Sequence, residues 1–135
     1  MAELEVALVA ADRQVWSGKA SIVIAKTADG DVGVQPGHQP VLSVLRPSVA
    51  TIRTLVDGAP GDVLKVAVHG GFIAVDENRV SLLSESAELA GEIDVSRAEA
   101  ALARARAGEY GDDSEAAALR AEVRLRAAGR EVQTP

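Results

Sequence analysis

The sequence predicts an α+β protein: an N-terminal antiparallel β-sandwich of about ten short strands, followed by a two-helix antiparallel hairpin. Three observations carry this. Up to about Glu88, β-branched and aliphatic runs recur every 8 to 12 residues between turn signals. After Gly91 the apolar spacing changes to that of a helix. Between these halves and within the first, glycine and proline cluster at the breaks. The expected division is a sandwich over residues 1–90 and a hairpin over 91–135.

Candidate strands fall at 4–10, 13–17, 20–27, 32–34, 41–45, 49–56, 63–69, 72–76 and 79–84. Ser17-Gly18, Asp29-Gly30-Asp31, Arg46-Pro47, Asp57-Gly58-Ala59-Pro60-Gly61 and Asp76-Glu77-Asn78 separate them, each rich in residues that turns require. The run Val49-Ala50-Thr51-Ile52-Arg53-Thr54-Leu55 alternates, so one face turns inward and the other meets water. Trp16, Phe72 and Tyr110 are the only aromatic residues, which leaves a core of Val, Ile, Leu and Ala, types suited to pleated sheet.

In the second half Ala98, Ala101, Leu102 and Ala105 occupy one helical face, and Ala116, Leu119, Val123 and Ala127 repeat the pattern. Gly108 supplies a stop, and Asp112, Asp113 and Ser114 supply caps for a second start. Asp94, or Ser96 with Glu99 in a capping box, caps the first helix. Large apolar side chains are few here, namely Leu102, Leu119, Val123 and Leu125. Isolated helices of this length are marginal in water, so the hairpin is expected to have alternative positions, folded on the sandwich or extended along a partner.

The net charge of −6 argues against nucleic acid as a partner, because that binding rests on clustered Lys and Arg. The absence of cysteine removes disulfides, thiolate nucleophiles and Cys-type metal sites. Met1-Ala2-Glu3-Leu4-Glu5 carries two acids where a secretory signal has basic residues. The longest apolar run, Val6 to Ala11, is far short of the ~20 residues that span a bilayer, so direct membrane insertion is not expected. Neither His38 nor His69 belongs to a nucleophile signature, and catalysis by this chain is not expected. No zinc or calcium spacing occurs. Gly70-Gly71 lacks both the dinucleotide pattern and the Walker lysine, and reads as a tight bend between core strands.

Two segments point to function. Gly30-Asp31-Val32-Gly33-Val34-Gln35-Pro36-Gly37-His38-Gln39-Pro40 holds three glycines and two prolines in eleven positions, which gives the loop a defined shape. His38 in it either bonds loop carbonyls or presents the loop to another subunit. In the helical half, Arg97 and Arg104 are two turns apart, and Arg120 and Arg124 are one turn apart. With antiparallel packing these guanidinium groups either converge on an anion such as a triphosphate, or form an ordinary solvated face.

These segments, with Val68-His69-Gly70-Gly71-Phe72-Ile73 and Glu92-Ile93-Asp94-Val95-Ser96-Arg97-Ala98, resemble the epsilon subunit of bacterial F-type ATP synthases over nearly the whole chain. The resemblance implies a non-catalytic subunit of the rotating central stalk in a proton-translocating synthase, peripheral on the cytoplasmic face of the cell membrane. It implies a gamma subunit and a ring of c subunits as partners, with alpha and beta subunits met by an extended, inhibitory hairpin. It places Asp31, Gly33, Pro36, Gly37 and His38 in the loop facing the c ring. The signature Ile93, Asp94, Arg97 and Ala98, with Glu88, Arg104, Arg120 and Arg124, resembles the nucleotide-sensing version of the family. No cofactor is required on this reading, and ATP is a regulatory ligand. The rival expectations are a stand-alone sandwich that binds a ligand through its glycine-rich loop and dimerises through its helices, and, ranked below it, a hydrolase using His38 or His69.

Overall fold

The structure is a computed structural model that describes residues 3–130 and 132. Nine strands, β1 (Leu4–Ala10), β2 (Arg13–Thr27), β3 (Gly30–Val34), β4 (Val41–Val44), β5 (Ser48–Val56), β6 (Ala59–Val68), β7 (Phe72–Asp76), β8 (Arg79–Ser84) and β9 (Ala87–Leu89), precede the helices α1 (Val95–Arg106) and α2 (Ser114–Ala127). The strands follow one another laterally as β4-β7-β8-β1-β2-β5-β6-β9, with β3 also on β2. The path doubles over on itself, and a bridge between Thr27 and Leu45 ties the far strand β4 region back to β2. Inside lies an aliphatic core that includes Leu4, Leu8, Val23, Leu45, Ile52, Ile73 and Leu82. Pairing is antiparallel throughout except for β1 with β8, which run parallel.

One expected break is absent and another is shorter than expected. The first, at Ser17-Gly18, is bridged by a continuous fifteen-residue β2. Gly18 is there for close approach, not for turning: a Cβ at that position would stand 2.6 Å from Cζ2 of Trp16, whose ring lies over it. Irregularities opposite Leu8/Val9 and at Ala20/Ile22 let this long strand pass from one layer to the other. The second concerns Asp57 to Gly61, where only Asp57 and Gly58 turn, at φ 52° and 80°. Positive φ at both central residues makes a two-residue hairpin whose twist matches its strands, so β6 begins already at Ala59. Pro60 is tolerated because at that end β6 has β5 on one side only, β9 pairing with Val66 to Val68. Glu77 and Asn78, at φ 46° and 62°, form the equivalent turn between β7 and β8.

Buried hydroxyls pin the bends. Ser84 Oγ lies 2.7 Å from the carbonyl oxygens of both Gly70 and Ser86, which share its single hydroxyl hydrogen as acceptors, and it accepts from the His69 N–H at 3.3 Å. Gly71 turns at φ 118°, and a Cβ there would lie 1.9 Å from the Leu83 carbonyl oxygen, so the bend after β6 admits only glycine.

In the hairpin, Asp94 is the cap of α1: its carboxylate accepts from the Arg97 N–H at 3.1 Å. Both helices end alike. The N–H of Gly108 bonds Ala105 and that of Glu109 bonds Arg104, while Gly129 and Arg130 bond Arg126 and Leu125, with both glycines at positive φ. A single 3₁₀ turn, Gly111–Asp113, leads into α2, and Asp113 makes no side-chain cap bond. Helix α2 is buried on two sides. Ala121 and Leu125 pack on Ala98 and Leu102 of α1, while Val123 and Ala127 pack on Ala67 and Val49 of the outer sheet face and on Ile93. The expected stripe of Ala116, Leu119, Val123 and Ala127 is therefore half right: Leu119 is 40% exposed. A helix sandwiched between two surfaces needs two narrow stripes, not one. The chain beyond 130, apart from Val132, which packs against the helix pair, lies outside the described residues.

Gly71→Ala is expected to cost about 3 kcal/mol or more, a fall of about 10 °C in thermal midpoint. Gly33→Ala, whose Cβ would meet nothing closer than Ile22 Cδ1 at 3.8 Å, is expected to leave the midpoint within about 2 °C. Calorimetric melting of the two variants checks both.

Candidate functional site

The bends at Gly70-Gly71 and Ser84 set the end of β6 against β9, so that His69 and Glu88 stand side by side below α2. Glu88 Oε1 receives Arg124 Nε at 2.6 Å, a charge-assisted bond that ties sandwich to hairpin. The same carboxylate oxygen is 3.8 Å from His69 Nε2. Burial first, then the Arg124 charge, hold the His69 pKa below its ordinary 6.5, with Arg120 acting the same way and Glu88 opposing.

Above this junction a cleft of about 440 Å³ is lined by Ser86, Glu88, Glu92, Asp94, Arg97, Ala98, Ala101 and Arg124. Its size is in the range of small-molecule sites. Glu92 is engaged by Arg13 at 3.2 Å and by the Leu89 N–H at 3.2 Å, and these bonds, Arg13 first, pull its pKa below the ordinary carboxylate value. The carboxylate of Asp94 is committed to its helix cap. Arg97 is exposed at the rim and makes no ion pair among the described residues.

Of the residues singled out in the sequence, Glu88, Asp94, Arg97, Ala98 and Arg124 share this cleft. Ile93 packs instead into the seam between hairpin and sandwich. Arg120 lies near enough to His69 for its charge to be felt there. Arg104 is exposed and outside the cleft lining. Sequence reasoning did not assign to the cleft Glu92 and Ser86, which line it, and weighed His69 only as a catalytic histidine and not as part of this junction. The available signal for His69 was a polar ring closing the aliphatic strand Val66-Ala67-Val68.

The glycine-rich segment splits in two. Gly33 closes β3 with Val34, and Pro36, Gly37 and His38 form the turn beyond it. Gly37, at φ 88°, donates its N–H to Asn78 Oδ1 at 2.8 Å, which joins this turn to the β7–β8 turn. His38 donates Nδ1–H to the Gln39 carbonyl at 2.7 Å and its backbone N–H to Gln35 at 3.1 Å. Asp31 sits nearer the other end of β3, opposite Lys26. There it lines a second cleft of about 580 Å³ on the far flank of α2, together with Lys26, Arg46, Lys65 and Arg126.

A third feature is apolar and exposed. Val44, Phe72 and Leu83 are register neighbours across β4, β7 and β8, and with Leu42 they are 46% to 75% exposed on the outer face. Among the described residues no cluster of three or more metal-ligating side chains occurs, and no helix is long and apolar enough to cross a membrane.

The family model described as ATP synthase, Delta/Epsilon chain, beta-sandwich domain matches residues 3–90. The ATP synthase epsilon chain of Streptomyces avermitilis is 57% identical over 126 residues, 93% of this chain and 95% of that one. That of Thermobifida fusca is 49% identical over 128 residues, 93% and 92% of the two chains. A chain of the Euglena gracilis mitochondrial ATP synthase, in its OSCP/F1/c-ring assembly, superposes with a TM-score of 0.67 at 25% identity, over 93% of this chain and 76% of that one. A chain of the Tetrahymena thermophila mitochondrial ATP synthase central stalk and c ring has the same fold, with a TM-score of 0.59 at 20% identity, covering 92% and 95%. With the sandwich matched as a unit and the epsilon relatives aligned through both helices, the chain belongs to the ATP synthase epsilon chain family, non-catalytic subunits of the synthase's central stalk.

Proposed function

We propose that this chain joins a gamma subunit to the ring of c subunits in a proton-translocating synthase, as part of its rotor, peripheral on the cytoplasmic face of the membrane. The observation that carries the gamma contact is the outer stripe of Leu42, Val44, Phe72 and Leu83. Four large apolar side chains contiguous on a rigid sheet face mark a contact surface. The antiparallel registers of β4, β7 and β8 hold them in one plane, as a shaft-binding face requires. The turn of Pro36, Gly37 and His38, braced by Asn78, is the end offered to the c ring.

The hairpin is the regulatory part. On the sandwich side it is held by Val123, Ala127 and Ile93, by the Glu88–Arg124 pair and, just ahead of α1, by the exposed Arg13–Glu92 pair. Burial of a valine and an alanine contributes roughly 2 to 4 kcal/mol, small enough for exchange with an extended form that would reach the alpha and beta subunits and inhibit ATP hydrolysis. ATP in the cleft of Asp94, Arg97 and Arg124 favours the docked form by bonding groups of both helices and of the sandwich at once.

Leu42→Asp with Phe72→Asp is expected to weaken binding to the gamma subunit by about 30-fold or more, with the melting temperature held, because the two side chains are 75% and 49% exposed. Surface plasmon resonance on the isolated pair measures it, and an unchanged dissociation constant would remove the stripe from the interface. Arg97→Ala is expected to weaken ATP binding about tenfold or more in titration calorimetry, as loss of a hydrogen bond to a charged group implies. Unchanged binding would end the nucleotide-sensing role and leave the stalk role standing.

A further inference from the structure

His69 has no part in the subunit contacts or the nucleotide cleft, yet its ring is 5% exposed and neither ring nitrogen has a hydrogen-bond partner among the described residues. A buried polar group left this way is costly unless it serves something. Every charged group that faces it belongs to the junction between sandwich and hairpin: Glu88 from β9, and Arg120 and Arg124 from α2. The one carboxylate present already holds Arg124 at 2.6 Å.

A proton on this imidazole would place a third cation around a single acid. Glu88, Arg124 and Arg120 together carry one net positive charge, and protonation makes it two, with the new charge on a ring shielded from water while Glu88, Arg124 and Arg120 keep access to solvent. The backbone of His69 cannot retreat, because its N–H is held by the Ser86 carbonyl at 3.1 Å and by Ser84 Oγ. Both arginines, by contrast, ride on α2, whose remaining hold on the sandwich is the short seam of Val123 and Ala127. Relief therefore lies in the helix moving away. Glu88, once free of Arg124, has its Oε1 3.8 Å from His69 Nε2, so a shift of under about 1 Å closes a hydrogen bond when that nitrogen carries a proton.

We propose that His69 is a proton-binding site that releases the hairpin: its protonation exchanges the Glu88–Arg124 pair for a Glu88–His69 pair and detaches α2 from the sandwich. This rests on the hairpin being able to leave the sandwich, as proposed above. The sign follows from the depressed docked-state pKa. With the hairpin away the ring titrates nearer 6.5, so docking is at full strength above that value and weakens as pH falls from it towards the lower docked-state pKa. Within that window the docked-to-detached ratio falls by up to about tenfold per pH unit, the limit for one proton.

The chain has no cysteine, so Ala103→Cys on α1 and Val63→Cys on β6 give a clean labelled pair on the full chain for fluorescence energy transfer between pH 8 and 5.5. Transfer is expected to drop below about pH 6.5 in the otherwise native chain and in His38→Gln, and to stay flat in His69→Gln. Val123→Asp, which puts a charge in the seam, is expected to be detached at every pH. If Val123→Asp is detached while the native chain shows no pH response, or if the response persists in His69→Gln, the proton-release role is overturned and hairpin mobility stands. If Val123→Asp remains docked, mobility itself fails and the release falls with it.

Discussion

The hairpin rests on the sandwich chiefly through one narrow contact, where α2 lies on the outer face of β5 and β6. Val123 and Ala127 meet Val49 and Ala67 there, Ile93 closes one edge, and Glu88 holds Arg124. Helix α1 reaches the sandwich chiefly through α2, by way of Ala121 and Leu125. The helix pair thus docks chiefly through one helix, with the exposed Arg13–Glu92 pair just ahead of α1 as a further tie.

The sandwich is built in the opposite sense. Its core runs through all its layers, and its bends are closed by buried hydroxyls that bond nearby carbonyls, Thr27 to Gly30, Ser48 to Arg46, Thr54 to Asp62 and Ser84 to Gly70. Each spares a buried carbonyl or hydroxyl the cost of going unpaired. Turns with positive φ at both positions then fix the register of β5 with β6 and of β7 with β8, so slippage by one residue, which would turn the aliphatic face outward, is excluded. A body that carries torque needs this resistance to shear, and small aliphatic side chains at crystal-like density supply it without aromatic bulk.

Local signals were the legible ones. Asp94 as a cap, Gly108 as a stop, the glycine bend at 70–71 and a turn within Asp57–Gly61, though shorter than the five residues expected, each depend on a backbone geometry that a few side chains settle. What the sequence concealed depends on partners distant in the chain. Ser17-Gly18 reads as a turn until Trp16 is seen lying over Gly18, and the alanine stripe of α2 reads as one face until the second surface is in place. The convergence of Arg97 and Arg124 in one cleft was readable from helical spacing, but Arg104 on the same spacing points elsewhere. The environment of His69 needs four elements, β6, β8, β9 and α2, to meet, and no short window of sequence contains them.

The cleft itself shows why tight nucleotide binding is not a free consequence of having arginines in it. Arg124 is already bonded to Glu88, and Asp94 is spent on the cap of α1. A phosphate that draws Arg124 away must replace a bond of 2.6 Å that itself helps to dock the hairpin. The ligand then stabilises the docked state only by the excess of its new bonds over the one it breaks, because an equilibrium shifts by the difference in affinity between states and not by affinity alone. Arg97, which makes no ion pair among the described residues and lines the cleft from the first turn of α1, is the cation that adds to that excess without subtracting from the existing latch.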